Sequence, residues 1–155
     1  MASIIDHVVD SPYRINSTFK IGTIYRISAP ELIEVEVPHY FIVIAKSSSN
    51  EGFLVVTTSK LDTLINHFQK ARISNETISM IRPSDENNLT KDSYINCNTL
   101  HKVDECFLIN KMKKNKLTIH GYLTNAEIIQ IKNAISKSKL VERKIKKLIE
   151  DSNNN

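Results

Sequence analysis

The chain has 155 residues, room for one compact domain around one hydrophobic core. Its 41% hydrophobic and 25% charged content excludes global disorder, no apolar run approaches the ~18 residues of a membrane span, and the two cysteines, Cys97 and Cys106, lack metal-type spacing. A net charge of +4 is a mild basic excess, compatible with a nucleic-acid partner and not diagnostic of one.

The opening MASIIDHVVD lacks the basic n-region and long apolar h-region of a secretory leader, so a cytoplasmic location is expected, with both thiols free. Residues 1–18 read as an irregular N-terminal arm, with Ser11-Pro12 a turn signal. FKIGTIYRIS (19–28) partly alternates and reads as a first strand, with Gly22 marking a bulge or close backbone approach. Ile33, Val35 and Val37 alternate with Glu34 and Glu36, predicting a half-buried strand over 32–37. Tyr40 to Ala45 is an unbroken apolar run, a buried strand whose entrance carries Pro38-His39. Proline has no N–H for a ladder, so a bend or edge falls there.

AKSSSNEG is a turn, and FLVVT (53–57) returns as the second arm of a hairpin. Leu61, Leu64, Ile65 and Phe68 recur at helical spacing, and Ser59 with Asp62 resembles a capping box. ETISMIR (76–82) reads as a strand, SDENNLTKD as a polar loop and SYINCN (93–98) as an alternating strand. VDECFLINKM is ambiguous between helix and strand. KLTIHGYL (116–123) reads as a short strand with Gly121 at a turn. Thr124 and Glu127 form a T-x-x-E capping box ahead of Ile128, Ile131, Ala134 and Ile135, and Val141, Ile145 and Leu148 form a second stripe before a frayed DSNNN tail. The expected class is α+β: a small, strongly bent antiparallel sheet or barrel with an inserted helix and C-terminal helices. The expected domains are an arm over 1–18, a barrel with its helix over 19–136, and a basic C-terminal helix and tail over 137–155.

Three groups of residues carry candidate chemistry. Thr57-Thr58-Ser59-Lys60 joins a strand to a helix start, where free N–H groups, hydroxyls and a lysine suit a phosphate. The simpler reading is an N-cap contributing about 1 kcal/mol. His39 and His101 lie at strand ends, and an imidazole titrates near working pH. They would form an acid/base pair if the fold joined them, with Lys102 steadying a phosphoryl group. Spare histidines such as His7, His67 and His120 show how often the residue is mere surface. Asn96 and Asn98 offer amides to phosphate or base edges, or else satisfy a loop, and Cys97 between them faces the core. The lysine clusters 111–116 and 137–147 read first as solvated faces. There is no GxGxxG, P-loop, HExxH or metal-spaced acidic ladder, and no cofactor is expected.

In order along the chain, Gly22-Thr23-Ile24-Tyr25, the Pro38–Ile44 strand, Val55-Val56-Thr57-Thr58-Ser59, the segment Ser93–Asp104, and Gly121-Tyr122-Leu123 before a helix resemble the MazF/PemK family of small bacterial toxins. The likeness spans about residues 20–136. It implies an SH3-like barrel, metal-independent cleavage of single-stranded RNA, a homodimer, an acidic antitoxin partner and no membrane association. Four family charges are replaced: Val37 or His39 stands for the arginine beside the proline, Asn96 and Asn98 for the arginine and aspartate around Cys97, and His101 for a later arginine. Two readings follow. In one, His39 and His101 carry acid/base work with Thr58 and Ser59 at the phosphate and Lys60, Asn96, Asn98 and Lys102 binding substrate. In the other, the fold keeps only a binding role, as a silent nucleic-acid-binding barrel or a gyrase poison.

Overall fold

The computed structural model describes residues 4–152, with side chains described from Asp10 onward. The first helix, α1 (Ile4–Thr18), occupies most of the stretch expected to be irregular, and Pro12 lies inside it. Burial explains the difference. Ile15 and Phe19 pack into a core shared with a later helix, and that packing outweighs the proline. Residues 1–3 of the expected arm, and 153–155 of the expected tail, lie outside the described residues.

Strand β1 (Thr23–Ile27) starts just after Gly22. Gly22 has φ of +98° and would bring an added Cβ to 2.9 Å from Ile128 Cδ1, so a close approach requires the glycine. The predicted strand over 32–37 is absent. In its place is a single helical turn, α2 (Pro30–Ile33), followed by an unpaired segment. Proline at the first helical positions favours that turn, and Lys111 reaches across to hold it, with Nζ 2.7 Å from Glu31 Oε1 and 2.9 Å from the Ser28 carbonyl. The alternation of valine and glutamate has no sheet to face, and Val35 and Val37 stay exposed.

The hairpin forms as predicted, from β2 (His39–Lys46) and β3 (Glu51–Thr58). The inserted helix α3 (Leu61–Ala71) follows. A 3-10 turn at Asn75–Thr77 leads into β4 (Ile78–Ile81), and β5 (Ser93–Asn96) follows. The ambiguous segment splits into strand and helix: β6 (His101–Asp104), then α4 (Glu105–Lys113), with the Asp104 carboxylate accepting the Phe107 N–H at 2.8 Å as a cap. β7 (Leu117–Tyr122) precedes α5 (Asn125–Ser136), whose Thr124–Glu127 capping box is present as predicted, and α6 (Arg143–Asp151) ends the described chain.

The class is α+β: a bent antiparallel sheet of seven strands in the order β4-β5-β3-β2-β1-β7, with β6 also on β3. The bend comes from β3. One edge pairs with β2, while the other is divided, residues 51–54 against β6 and Thr57–Thr58 against β5. One sheet face packs Ile24, Ile42, Ile44 and Val55 under α5 and α6; the other packs Tyr25, Phe41, Val43 and Leu54 under α1 and α4. The free edge of β7 is covered by the loop after β4. The Glu86 carbonyl accepts the Tyr122 N–H, Asn88 Nδ2 donates to the His120 carbonyl, and His120 Nε2 donates to the Asn88 carbonyl. Gly121, expected at a turn, sits inside β7, where a Cβ would lie 2.5 Å from the Asn87 carbonyl oxygen.

Candidate functional site

A cavity of about 520 Å³ opens where β2 begins and β3 ends. Its polar wall is His39, Thr57, Thr58, Ser59 and Lys60, with Thr90 and Lys91 from the loop leading into β5. Its apolar wall includes Val35, Val37, Tyr40 and Leu89. No carboxylate lines it, while two lysines and one imidazole do, so its field favours an anion. Among the described residues, no group of three or more His, Cys, Asp or Glu is placed to hold a metal ion.

Each polar group owes its position to the local fold. His39 is the first residue of β2, opposite Ile27 of β1, and follows the proline that closes the ladder. Its Nδ1 lies 2.8 Å from the Val37 carbonyl oxygen. A carbonyl only accepts, so Nδ1 carries the proton, and in the neutral ring Nε2 holds the basic lone pair. Thr58 Oγ1 accepts the Lys60 N–H at 3.1 Å. The expected Ser59–Asp62 capping box does not form: Lys60 is the N-cap of α3, without a side-chain cap hydrogen bond. Thr58 has already turned the chain, which leaves Ser59 exposed at the cavity rim, beside the open N–H groups of the first turn of α3.

His101 lies elsewhere. It pairs with Leu54, which pairs with Val43, four residues along β2 from His39; at strand rise that is about 13 Å. Phe41, two residues on from His39, meets the His101 ring edge-on at 6.0 Å, so a buried apolar side chain occupies the sheet face between the two imidazoles. Burial lowers the pKa of His101, which favours its neutral form. Lys102 points away from the cavity, in an exposed ion pair at 3.9 Å with Glu51. Asn96 and Asn98 are engaged in structure. Asn98 Nδ2 donates to Thr77 Oγ1 at 2.8 Å and to Asn96 Oδ1 at 3.0 Å, and Asn98 Oδ1 accepts from Ser138 Oγ, tying β5 and the 3-10 turn to the α5–α6 link. Burial pushes the Cys97 thiol up to about 12, which makes it a core thiol and not a nucleophile.

Of the eight residues singled out in the sequence, the cavity therefore gathers His39, Thr58, Ser59 and Lys60, and leaves out His101, Lys102, Asn96 and Asn98. Lys91, Thr90 and Tyr40 join it unannounced. Lys91 sits in a polar loop with no local signature; only the Thr58–Tyr94 pairing of β3 with β5 brings that loop to the end of β3.

No protein-family model matches the chain, and no curated protein matches it in sequence. Among solved structures, the Mycobacterium tuberculosis toxin MazF-mt6 superposes on 74% of this chain and 92% of its own, at 12% sequence identity and a TM-score of 0.46. At that level of likeness the functional reading has to come from the cavity itself.

Proposed function

We propose that the cavity binds the phosphodiester backbone of single-stranded RNA and cleaves it without a metal, as the toxin of a toxin–antitoxin pair. The observation that carries this reading is the meeting of His39, the Thr58 and Ser59 hydroxyls, Lys60 and Lys91 around one carboxylate-free pocket. Nε2 of His39 takes the proton of a ribose 2′-OH. The freed oxygen attacks the adjacent phosphorus, an O2′–P bond forms, and the P–O5′ bond breaks. The departing O5′ takes a proton from a lysine ammonium, Lys60 or Lys91, in the place the sequence suggested for His101. The hydroxyls and the remaining ammonium hold the phosphorane charge. The products are a 2′,3′-cyclic phosphate and a 5′-hydroxyl. Single strands suit the pocket because their bases are free to reach its apolar wall at Tyr40, Val35 and Val37. The family resemblance of the sequence adds a homodimer and an acidic antitoxin to the same proposal.

The separation of His101 from His39 favours a second reading, a nucleic-acid-binding protein that does not cut. One experiment distinguishes the two: end-labelled single-stranded RNA incubated with the purified chain in EDTA. The enzyme reading expects fragments ending in 2′,3′-cyclic phosphate that disappear with His39→Ala. RNA that is retained by the protein but stays intact supports the second reading, and RNA that neither binds nor breaks removes both.

A further inference from the structure

The sheet face that carries Ile24 and Ile42 continues two residues along each strand to Arg26 of β1 and Tyr40 of β2. The two are register partners, and on its other side Arg26 pairs with Thr118 of β7. Here the face is open: Arg26 and Thr118 are exposed and Tyr40 is half-buried. Tyr40 also lines the His39 cavity, as does Thr57 of β3, whereas Arg26 does not. Tyr40 is therefore a ridge, with the cavity on its β3 side and Arg26 on its β1 side. Two strand spacings, about 10 Å, separate the backbone of Arg26 from that of Thr57. Among the described residues the Arg26 guanidinium has no hydrogen bond, ion pair or aromatic ring to hold it, and neither of its register partners is acidic. The Tyr40 ring, by contrast, is supported. It lies 4.4 Å from the His120 ring at a tilt of 44°. Asn88 holds His120 at its ring and at its backbone: the Asn88 carbonyl accepts from Nε2 at 2.8 Å, and Nδ2 donates to the His120 carbonyl at 2.9 Å.

We propose, resting on the reading of the cavity as an RNA site, that the bound strand leaves the cavity over Tyr40 and is held again at Arg26. The base of the nucleotide next to the cleaved bond stacks on the Tyr40 ring, and the guanidinium takes the phosphate beyond it. A supported aromatic ring beside an uncommitted cation suits a single strand, which offers a π-face and a negative charge at each step. His120 is a positioning residue that acts through Tyr40. The arrangement defines a substrate class: a strand that continues past the scissile phosphate with its bases unpaired. A mononucleotide or inorganic phosphate fills the cavity alone. Every base has a π-face, so Tyr40 contributes affinity and not sequence choice. A duplex is excluded, because its bases are stacked on one another and out of reach of the ring.

The test uses the full chain and two short fluorescein-labelled 2′-O-methyl strands, which have no free 2′-OH and cannot be cut. One carries bases of mixed sequence and the other has the same sugars and phosphates without bases. Binding is read by anisotropy. The wild type should prefer the base-bearing strand by about tenfold or more. Tyr40→Ala should abolish that preference, and so should Tyr40→Leu, which keeps apolar bulk in the fold but has no π-face. Arg26→Ala should keep the preference, weaken both strands alike and reduce the slope of log affinity against log salt by about 0.7. His120→Ala should lower the preference, and His120→Phe, which keeps a ring against Tyr40, should restore it. Equal wild-type affinity for the two strands overturns the proposal, as does an unchanged salt slope in Arg26→Ala; both leave the cavity reading standing. Binding indifferent to Lys60→Ala and Lys91→Ala overturns the cavity reading instead, and no binding of either strand overturns both.

Discussion

Two points along β3 place a histidine in opposite circumstances. At the exit of the strand, beside Thr58, His39 opens onto a cavity with its Nδ1 proton fixed by the Val37 carbonyl. Halfway along it, opposite Leu54, His101 packs edge-on against Phe41, and burial lowers its pKa, which favours the neutral form. Both residues lie at strand ends in the sequence. What separates them is four residues of register and one ring. An imidazole lines an open cavity at the point where the ladder stops, and packs against a buried ring where the ladder continues.

The largest effect expected from this contrast is in cleavage. His39→Ala should lower the rate by about 10²–10⁴-fold in a labelled-RNA assay, whereas His101→Ala should change it less than about tenfold. Equal losses in both variants would break the contrast, because they would require the rings to meet. The lysines sharpen it at the level of binding. Lys60→Ala and Lys91→Ala should each reduce the slope of log affinity against log salt for single-stranded RNA by about 0.7, with Lys102→Ala leaving the slope unchanged. Asn98→Ala should cost on the order of 1–3 kcal/mol in denaturant unfolding, since it strips partners from Thr77 and Ser138.

The smallest effect is in the pH dependence of stability. The folded-state pKa of His101 is lowered, so as pH falls below the ordinary histidine value of ~6.5 the unfolded chain binds the proton before the folded one does. Stability conferred by the neutral ring is therefore complete above that value and declines as pH drops toward the lowered one. His101→Gln should flatten this part of a thermal-melt pH profile; an unaltered slope would mean that burial does not govern the ring.

The local signals that survived folding were those whose physics is local. The hairpin of β2 and β3, the stripe of α3 and the Thr124–Glu127 box of α5 each rest on a few adjacent residues and formed as expected. The strand expected over 32–37 failed because alternation says nothing about whether a partner strand is available, and the Lys111–Glu31 contact that favours a helical turn spans 80 residues. The helix α1 was hidden for the same reason, since its support comes from α4. At the cavity, His39 and the Thr58–Lys60 turn were legible from residue type and position. Lys91 was not, and the exclusion of His101 depended on a strand register that no single segment encodes.

The loop over β7 bears on how the molecule behaves in a crowded solution. An uncovered outer strand is a template on which a neighbouring chain can lay its own, and here residues 86–88 occupy two backbone groups of that template, with the His120 side chain adding a third hydrogen bond to the loop. The cover fits only because position 121 lacks a side chain. A single methyl there would lift the loop, and the first symptom would be self-association under conditions where the native chain stays dispersed.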